Sequence, residues 1–360
     1  MLKRLIESNK GNTNYRHAVI SLTSLGKVGQ QLQVLGVEVQ AMNMRSLLDI
    51  PRVLWRLVWL IRASNADIVQ TWLYHADLLG GLVTRFTGSC PVVWGIRCTT
   101  ISQGPLSVTF WLVRLCAILS HIVPHRIICC ANSAKLVHTK LGYAVNKMSV
   151  VPNGYDFSAF DRSLGLRTKA RIKLGFKVDE IVIGTVGRFD SIKDFNNFVA
   201  AAYIVAEKQP SVRFLMVGRN IEWSNHTLRG WIESEGLENI FQLVGEQSDI
   251  PYFLSAMDIF CLSSACGEGF PNVVAEAMAM DLPCVVTHVG DAADILGDGD
   301  YVVPVKDSIS LGDALLRMCD LKPVDRRVLG ERNAKRVREE YGIEKIRRKY
   351  EAVYDEVSKK

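Results

Sequence analysis

The sequence lacks several signals that would assign it to a common class of protein. Its 360 residues contain no run of like charges, and the net charge of +6 is spread along the chain, so no nucleic-acid partner is indicated. No Gly-x4-Gly-Lys-Ser/Thr motif occurs, which argues against a nucleoside triphosphatase. The nine cysteines are spaced irregularly, unlike a zinc site or a disulfide framework, and they favour a reducing, cytoplasmic setting.

The sequence also lacks an apolar run suited to crossing a membrane. Its most hydrophobic segment, Pro105–Pro124, carries Arg114 and His121, and a central arginine is costly in a span of about 20 residues. We therefore interpret this segment as a buried helix of an α/β domain. A second helix, predicted over Arg45–Ile61, carries arginines beside two tryptophans. Such a helix suits either solvent or peripheral contact with a membrane surface, and we keep the second as a hypothesis.

What the sequence does contain is a regular alternation of short apolar strands and helical patterns. Most of the strands are apolar at consecutive positions, which is typical of parallel sheets covered by helices on both faces. A chain of 360 residues is also too long for one ordinary core. The sequence therefore predicts an α/β fold of two tandem, doubly wound, Rossmann-like domains. The predicted strands are His17–Leu25, Val37–Met42, Asp67–Trp72, Pro91–Gly95, Arg126–Ala131, Met148–Val151, Glu180–Val186, Val212–Val217, Ile240–Val244, Asp258–Leu262, Pro283–Thr287 and Tyr301–Val305.

The segment Val151-Pro-Asn-Gly-Tyr155 is predicted to divide the chain, because Pro and Gly end a strand there. We predict a first domain over residues 1–155 and a second over residues 156–340. Residues 341–360 are predicted to form a helix that packs back on the first domain. The first residues, Met1–Ser8, have a helical pattern, whereas a doubly wound domain usually begins with a strand and a Gly-rich turn. We therefore expect the sequence to start inside its first domain.

The strongest chemical signal is a loop-to-helix turn in the second domain. A strand is predicted to end near Ser264, and Gly267 and Gly269 follow in a polar loop. Pro271 then stands where the first helical turn begins, a position that needs no amide donor. The start of a helix leaves free N–H groups and a partial positive charge, which suit a phosphate group.

Two carboxylates flank this predicted phosphate site. Glu268 lies on the loop, and Glu276 lies about one and a half turns into the helix. A carboxylate accepts hydrogen bonds from sugar and ribose hydroxyl groups, whereas an ionised phosphate group has no hydrogen to donate to it. A phosphate between two polyol groups describes a nucleotide-sugar, so the string from Glu268 to Glu276 is predicted to bind one. The alternative is a capping loop with one solvated glutamate.

A second element follows the first strand of the second domain and contains Gly187, Arg188 and Lys193. Ligands of open α/β sheets bind at the carboxyl ends of the strands, so both cations can project from the edge that presents Glu268. Arginine contacts phosphate oxygens in a bidentate manner, and lysine acts as a point charge. Alone, such cations are usually solvated; beside the first element they become candidate ligands of a diphosphate. The pocket for the base is predicted at Gly218-Arg219 and Val244-Gly-Glu246, largely through backbone, and it does not identify the base.

Together the two elements resemble the retaining GT-B glycosyltransferases of family 4. The resemblance covers nearly the whole chain and is strongest from Gly184 to Gly290. It implies two Rossmann-like domains facing across a cleft, with the acceptor on the first and a nucleotide-sugar on the second. The donor would be a UDP-sugar or a GDP-sugar, without metal or other cofactor. The acceptor would be a glycan or a lipid-linked sugar in bacterial-type cell-surface polysaccharide synthesis.

The resemblance also assigns roles residue by residue. Arg188 and Lys193 would neutralise the leaving diphosphate, and Glu276 would bind the ribose. Glu268 would hold the donor sugar together with the backbone of the residues that follow it. The leaving diphosphate would help to deprotonate the acceptor, so no side-chain base is required. The donor-binding string further includes Gly187, Gly269, Phe270, Pro271, Asn272 and Val273.

The sequence departs from the family pattern in two places. Arg97 stands near a position where family members often carry a histidine, and it is a candidate to contact phosphate, an anionic acceptor or a carboxylate. His75 is a second candidate on the acceptor side, and Asn153 lies in a segment that resembles the family's interdomain segment. The family's first strand and Gly-Gly turn are missing, which leaves a catalytically impaired nucleotide-sugar-binding protein as an alternative. A nucleotide-sugar epimerase of the same fold is another.

Overall fold

The computed structural model describes residues 1–10, 14–99, 107–160 and 165–359. Contacts within the chain divide it into two compact units. Unit 1 consists of Met1–Tyr155 together with Ile343–Lys360, and unit 2 consists of Asp156–Gly342. One of the two units is therefore built from both ends of the chain.

The first part of the chain supplies most of unit 1. Its strands are β1 (Ala18–Ser21), β2 (Glu38–Ala41), β3 (Val69–Gln70), β4 (Val92–Ile96), β5 (Arg126–Cys129) and β6 (Met148–Val150). Its helices are α1 (Leu2–Ser8), α2 (Gly26–Val34), α3 (Ile50–Ser64), α4 (Tyr74–Thr87), α5 (Val108–Leu119) and α6 (Asn132–Lys140). β1 and β2 form a parallel pair, and the other strands form a parallel sheet in the order β3-β4-β5-β6.

Unit 2 has a single larger sheet. Its strands are β7 (Ile181–Val186), β8 (Val212–Val217), β9 (Phe241–Leu243), β10 (Ile259–Leu262), β11 (Cys284–Thr287) and β12 (Val302–Val303). Its helices are α7 (Leu166–Leu174), α8 (Phe195–Lys208), α9 (His226–Ser234), α10 (Ile250–Ala256), α11 (Asn272–Ala279), α12 (Ala292–Leu296), α13 (Ser308–Asp320) and α14 (Pro323–Tyr341). All neighbours are parallel in the order β12-β11-β10-β7-β8-β9. This is the doubly wound order, with its switch point between β7 and β10.

The last helix, α15 (Ile343–Ser358), returns to unit 1. It buries Ile346 and Tyr350 in a cluster with Leu5 of α1 and with Val93 and Ile128 of the four-stranded sheet. The helix thus closes one face of a sheet whose strands lie far away in sequence. It starts at Ile343, because Gly342 ends α14 and the Ile343 N–H donates to the Tyr155 carbonyl at 2.8 Å.

The predicted α/β fold of two doubly wound domains with parallel sheets is confirmed. The central strands β4, β10 and β11 are buried at every position, as their continuous apolar runs predict. Several strands are shorter than predicted. β3, for instance, spans two of the residues predicted as Asp67–Trp72, because only Val69 and Gln70 are in register with β4.

Two helix predictions are corrected. The helix predicted over Arg45–Ile61 begins only at Ile50, because Ser46 and Asp49 form a capping box around a short 3₁₀ turn. The segment Pro105–Pro124 was interpreted as a buried helix, but α5 is buried on one face only and exposes apolar side chains on the other. Pro105 itself lies outside the described residues. Within the ranges that the structure describes, no helix has both the length and the apolar character needed to cross a bilayer.

Candidate active site

The candidate site lies at the carboxyl edge of the unit 2 sheet, at its switch point. β7 and β10 are neighbours there, with Gly184 in register with Phe260. The loop after β7 and the loop after β10 are joined directly, since the Ala265 N–H donates to the Ile192 carbonyl at 2.8 Å. The Ser263 hydroxyl also donates to the Lys193 carbonyl at 2.8 Å. The fold thus brings together the two elements that the sequence places far apart.

Lys193 and Glu268 form an ion pair across this junction. The Lys193 Nζ lies 2.5 Å from the Glu268 Oε1, and the two side chains are 17% and 13% exposed. The same carboxylate oxygen accepts a hydrogen bond from the Ser264 hydroxyl at 2.8 Å. A half-buried pair held by a third group keeps a fixed geometry, unlike a solvated surface pair.

Arg188 lies on the same loop, and its side chain is more exposed to solvent than those of Lys193 and Glu268. Its side chain is 53% exposed, and its Nε donates to the Asp190 Oδ2 at 2.9 Å. The pKa of Asp190 is lowered, first because the Ile192 N–H donates to its other oxygen and also because Arg188 lies beside it. The bond to Asp190 uses Nε–H, one of the five N–H donors of the guanidinium, so the Nη groups can still donate to phosphate oxygens.

The N-terminus of α11 faces this edge through Pro271, its N-cap residue. Phe270 is buried, and its ring packs edge-on against Tyr341 with the centroids 5.0 Å apart. The phenyl group therefore anchors the loop, and what Phe270 can offer a ligand is its backbone. On the helix, Val273 is buried, Glu276 is half-buried and Asn272 is exposed.

The loops after β7, β8 and β9 form a continuous rim next to the ion pair. The Gly187 N–H donates to the Val217 carbonyl and the Phe189 N–H to the Arg219 carbonyl, both at 2.9 Å. The Gly218 N–H donates to the Gly245 carbonyl at 2.8 Å. The side chains predicted to lie near the base, Arg219 and Glu246, are exposed on this rim.

Sequence reasoning missed two residues that shape the site, Ser264 and Gly290, and it placed a third, Gly218, in the pocket for the base. Ser264 fixes the Glu268 carboxylate, and its position two residues after the end of β10 was the available signal. Gly290 has a φ of +55°, and a Cβ there would lie 2.4 Å from the Glu268 carbonyl oxygen. A Cβ on Gly218 would lie 1.9 Å from the Gly187 carbonyl oxygen. Both glycines are therefore required by close backbone approach, which no local pattern reveals.

The predicted acceptor-side residues lie in unit 1. Arg97 follows β4, and its guanidinium donates to the Asn153 side chain and to the Tyr350 hydroxyl at 3.1 Å from the oxygen. It also lies over the Trp72 ring, 5.2 Å from the centroid. The structure thus brings Arg97 and Asn153 together, with the guanidinium held by neutral partners. His75 is exposed on the first turn of α4.

The described ranges contain no group of three or more His, Cys, Asp or Glu side chains placed to hold a metal ion. The site brings together two cations, Arg188 and Lys193, and each is paired with a carboxylate, that of Asp190 or that of Glu268. Both cations lie on the loop after β7, which is hydrogen-bonded to the loop that leads into α11. Such an arrangement can bind an anionic group while one carboxylate remains for hydroxyl groups.

Comparison with known proteins assigns both units to one class. A family described as "Glycosyltransferase Family 4" matches residues 12–159, and one described as "Glycosyl transferases group 1" matches residues 180–320. Among solved structures, HepE of Anabaena in complex with UDP superposes with a TM-score of 0.84 at 19% identity, covering 98% of this chain and 95% of that one. HepE in complex with UDP-glucose gives a TM-score of 0.81 at 18% identity, with 100% and 95% covered. The fold is that of the GT-B glycosyltransferases.

Curated relatives agree with this class. The chain is 28% identical to an Escherichia coli UDP-Gal:alpha-D-GlcNAc-diphosphoundecaprenol alpha-1,3-galactosyltransferase, over 77% of this chain and 72% of that protein. It is 24% identical to the capsular polysaccharide biosynthesis glycosyltransferase CapM of Staphylococcus aureus, over 84% and 80%. This chain therefore belongs to the family 4 glycosyltransferases of the GT-B fold, as the resemblance in its sequence predicts.

Proposed function

We propose that this chain is a retaining glycosyltransferase of bacterial-type cell-surface polysaccharide synthesis. It moves a hexosyl or N-acetylhexosaminyl group from a UDP-sugar to a glycan or lipid-linked acceptor at the cytoplasmic face of the membrane. The observation that carries the proposal is the ion pair of Lys193 and Glu268, held at the switch point of unit 2 beside Arg188 and the start of α11.

In this proposal the donor diphosphate lies against Arg188, Lys193 and the first turn of α11. The Lys193 ammonium has three N–H donors, so it can keep its bond to Glu268 while others reach phosphate oxygens. Glu268 then serves the hydroxyls of the donor sugar, and Glu276 serves the ribose. The protein's own cations supply the charge that stabilises the leaving diphosphate, so the proposed reaction does not require a metal ion.

The proposed step exchanges one bond at the anomeric carbon of the donor. The bond from this carbon to the diphosphate oxygen breaks, and a bond to the acceptor oxygen forms on the same face of the sugar. The proton of the acceptor hydroxyl passes to an oxygen of the departing diphosphate. The products are the glycosylated acceptor, with its anomeric configuration retained, and free UDP. Fixed cations at the leaving group lower the barrier because they are oriented before charge develops.

A UDP-sugar is favoured over a GDP-sugar by the relatives. HepE is described in complex with UDP and with UDP-glucose, and the E. coli relative is named for UDP-Gal and a diphosphoundecaprenol acceptor. The name of the E. coli relative also supports a lipid-linked acceptor. We assign acceptor binding to unit 1, where His75 is exposed and where Asn153 orients Arg97.

A donor screen tests the proposal. The melting temperature of the full chain is measured with UDP-, GDP- and ADP-sugars, and we expect UDP-sugars to raise it. A ligand at about 100 times its Kd stabilises a protein by about 2.7 kcal/mol. The variant Glu268→Gln is expected to lose most of the discrimination between UDP and UDP-sugar, since its side chain no longer offers two acceptor oxygens.

Turnover is then followed with a lipid-diphosphate sugar as acceptor, and the anomeric configuration of the product is read by NMR. Retention is expected. No stabilisation by any nucleotide-sugar would remove the donor assignment, and an inverted product would remove the proposed step. Stabilisation without transfer would indicate the non-catalytic binding protein, and conversion of the donor to an epimer without acceptor would indicate the epimerase.

A further inference from the structure

Helix α5 exposes a stripe of large apolar side chains. The residues recur every three or four positions on one face and continue just beyond the helix, while Val113, Cys116 and Ala117 are buried on the opposite face. Monomeric soluble proteins rarely expose contiguous apolar surface of this kind. The exposed fractions are 67% for Val108, 60% for Trp111, 43% for Leu115, 68% for Ile118 and 65% for Ile122.

Helix α3 exposes a second apolar and aromatic stripe. Leu48, just before the helix, is 92% exposed, and Trp55 and Trp59 are 74% and 61% exposed. α4 packs against both α3 and α5, so the three helices form one layer over the sheets of unit 1. Phe86, near the end of α4, is 83% exposed. We call these three helices with their exposed side chains the α3–α5 layer.

The charges on the α3–α5 layer are mostly positive. Arg52, Arg62, Arg85 and Arg114 are exposed on its helices. α4 and α5 together contain a single carboxylate, that of Asp77, which is fully buried. On α3 the N-cap carboxylate of Asp49 bonds to Arg52 at 3.1 Å. The layer therefore presents tryptophans and aliphatic side chains among arginines, with few exposed carboxylates.

We propose that the α3–α5 layer is a membrane-docking surface that lies on an anionic lipid bilayer. Tryptophan has an apolar body and a polar N–H, and it favours the boundary between acyl chains and headgroups. Arginines among such residues bind anionic headgroups, and the apolar side chains between them enter the acyl boundary. Charge complementarity selects this occupant. A second copy of the chain would bring one cationic face against another, which is unfavourable.

This surface belongs to unit 1 and uses none of the donor-site residues of unit 2. The membrane-docking proposal therefore goes beyond the proposed sugar transfer, and the two are tested independently. Its consequence is that the chain reaches a lipid-linked substrate by moving along the bilayer surface. Contact of this apolar stripe with a bilayer also accounts for the hydrophobic side chains that α5 exposes.

The test is flotation of the full chain with vesicles of phosphatidylcholine, with or without phosphatidylglycerol. Ile118→Glu places a carboxylate within the stripe without touching the core, and Ile309→Glu on α13 of unit 2 is its matched control. The two isoleucines are 68% and 67% exposed. We expect the wild type and Ile309→Glu to float with the anionic vesicles and Ile118→Glu to bind at least about tenfold more weakly, since an inserted charge is costly.

Measurements of salt dependence and of donor binding complete the experiment. Binding of the wild type is expected to weaken as NaCl rises above about 0.1 M, because the Debye length is then below about 10 Å. Stabilisation by UDP-sugar is measured in all three proteins and is expected to be equal, which separates this proposal from the donor site. Absence of wild-type binding, or equal binding of the two glutamate variants, would overturn the proposal. So would a wild-type dimer that Ile118→Glu converts to a monomer in sedimentation velocity.

Discussion

The carboxylate of Glu268 shows how a single residue links sequence signal and chemistry. One of its oxygens accepts hydrogen bonds from both the Lys193 ammonium and the Ser264 hydroxyl. Glu268 lies on a glycine-flanked loop, and these partners together with the close approach of Gly290 hold it in position. Lys193 in turn is held by Ser263, which binds its backbone carbonyl. The pair is preorganised at the place where the proposed leaving group develops charge.

At this scale we predict that Lys193→Ala lowers kcat by about 10²–10³-fold. In the proposed reaction the substitution removes one fixed charge that stabilises the leaving diphosphate, and losses of this size are typical for one such donor. The steady-state rate of UDP release, measured with the lipid-linked acceptor, checks the value. Lys208→Ala, at the exposed end of α8, is the control and should keep the wild-type rate. A Lys193→Ala enzyme within about threefold of wild type would contradict the role given to this residue.

At the scale of elements, α4 carries a buried acid against the edge of the four-stranded sheet. Asp77 is fully buried, and its Oδ1 accepts from the Thr71 hydroxyl at 2.5 Å and from the Gly95 N–H at 3.4 Å. Burial raises the pKa of Asp77 from 3.8 to about 8, although both hydrogen bonds act in the opposite direction. The acid therefore stays protonated in the folded chain at neutral pH.

This shift predicts how stability depends on pH. Between pH 4 and pH 8 the folded state keeps the Asp77 proton and the unfolded state loses it, so stability falls as pH rises. The contribution is complete below the unfolded pKa and disappears as pH rises through the folded one, at up to about 1.4 kcal/mol per pH unit. Asp77→Asn is neutral throughout and should be more stable than wild type near pH 8.

Urea unfolding at several pH values between 5 and 8 measures this dependence. The difference between wild type and Asp77→Asn isolates the acid from other groups, such as His138, whose pKa burial lowers. Asp67→Asn, at an exposed position before β3, is the control and should follow the wild-type curve. Parallel curves for Asp77→Asn and wild type would show that the acid is ionised in the folded chain.

At the scale of the whole molecule, unit 1 depends on both ends of the chain. α15 packs Ile346 and Tyr350 onto Val93 and Ile128. Residues 1–155 alone therefore leave this face of the four-stranded sheet uncovered. Gly154 lies close to the helix, and a Cβ there would lie 2.9 Å from Ile346 Cβ. The folding of unit 1 is therefore coupled to the end of the chain.

We predict that Ile346→Ala destabilises unit 1 by about 2–5 kcal/mol, the usual cost of removing a fully buried isoleucine side chain. Chemical unfolding followed by circular dichroism measures the loss. Lys349→Ala, on the exposed face of the same helix, should change stability little. Binding of UDP-sugar is expected to persist in Ile346→Ala, because the proposed donor site lies in unit 2. Loss of donor binding at a temperature where unit 1 is folded would contradict that division of roles.

Much of this fold could be predicted from local pattern. Strands covered on both faces are apolar at consecutive positions, so the parallel sheets of both units were predictable, and the Glu268 string marked a loop entering a helix. Arg97 was harder. The sequence offered phosphate, acceptor or carboxylate as its partner, and the structure gives it Asn153 and Tyr350. The second of these comes from the last helix, which no local pattern places beside β4.

The sequence by itself determined the class of fold, the family and the residue types of the proposed donor site, because local periodicity and short motifs carry this information. Only the tertiary structure decided which groups touch and which surfaces stay open. It pairs Lys193 with Glu268 across the switch point, and it turns the apolar stripe of α5 outward. Hydrophobic side chains favour burial without specifying what covers them, so exposure is a property of the packed molecule and not of the segment.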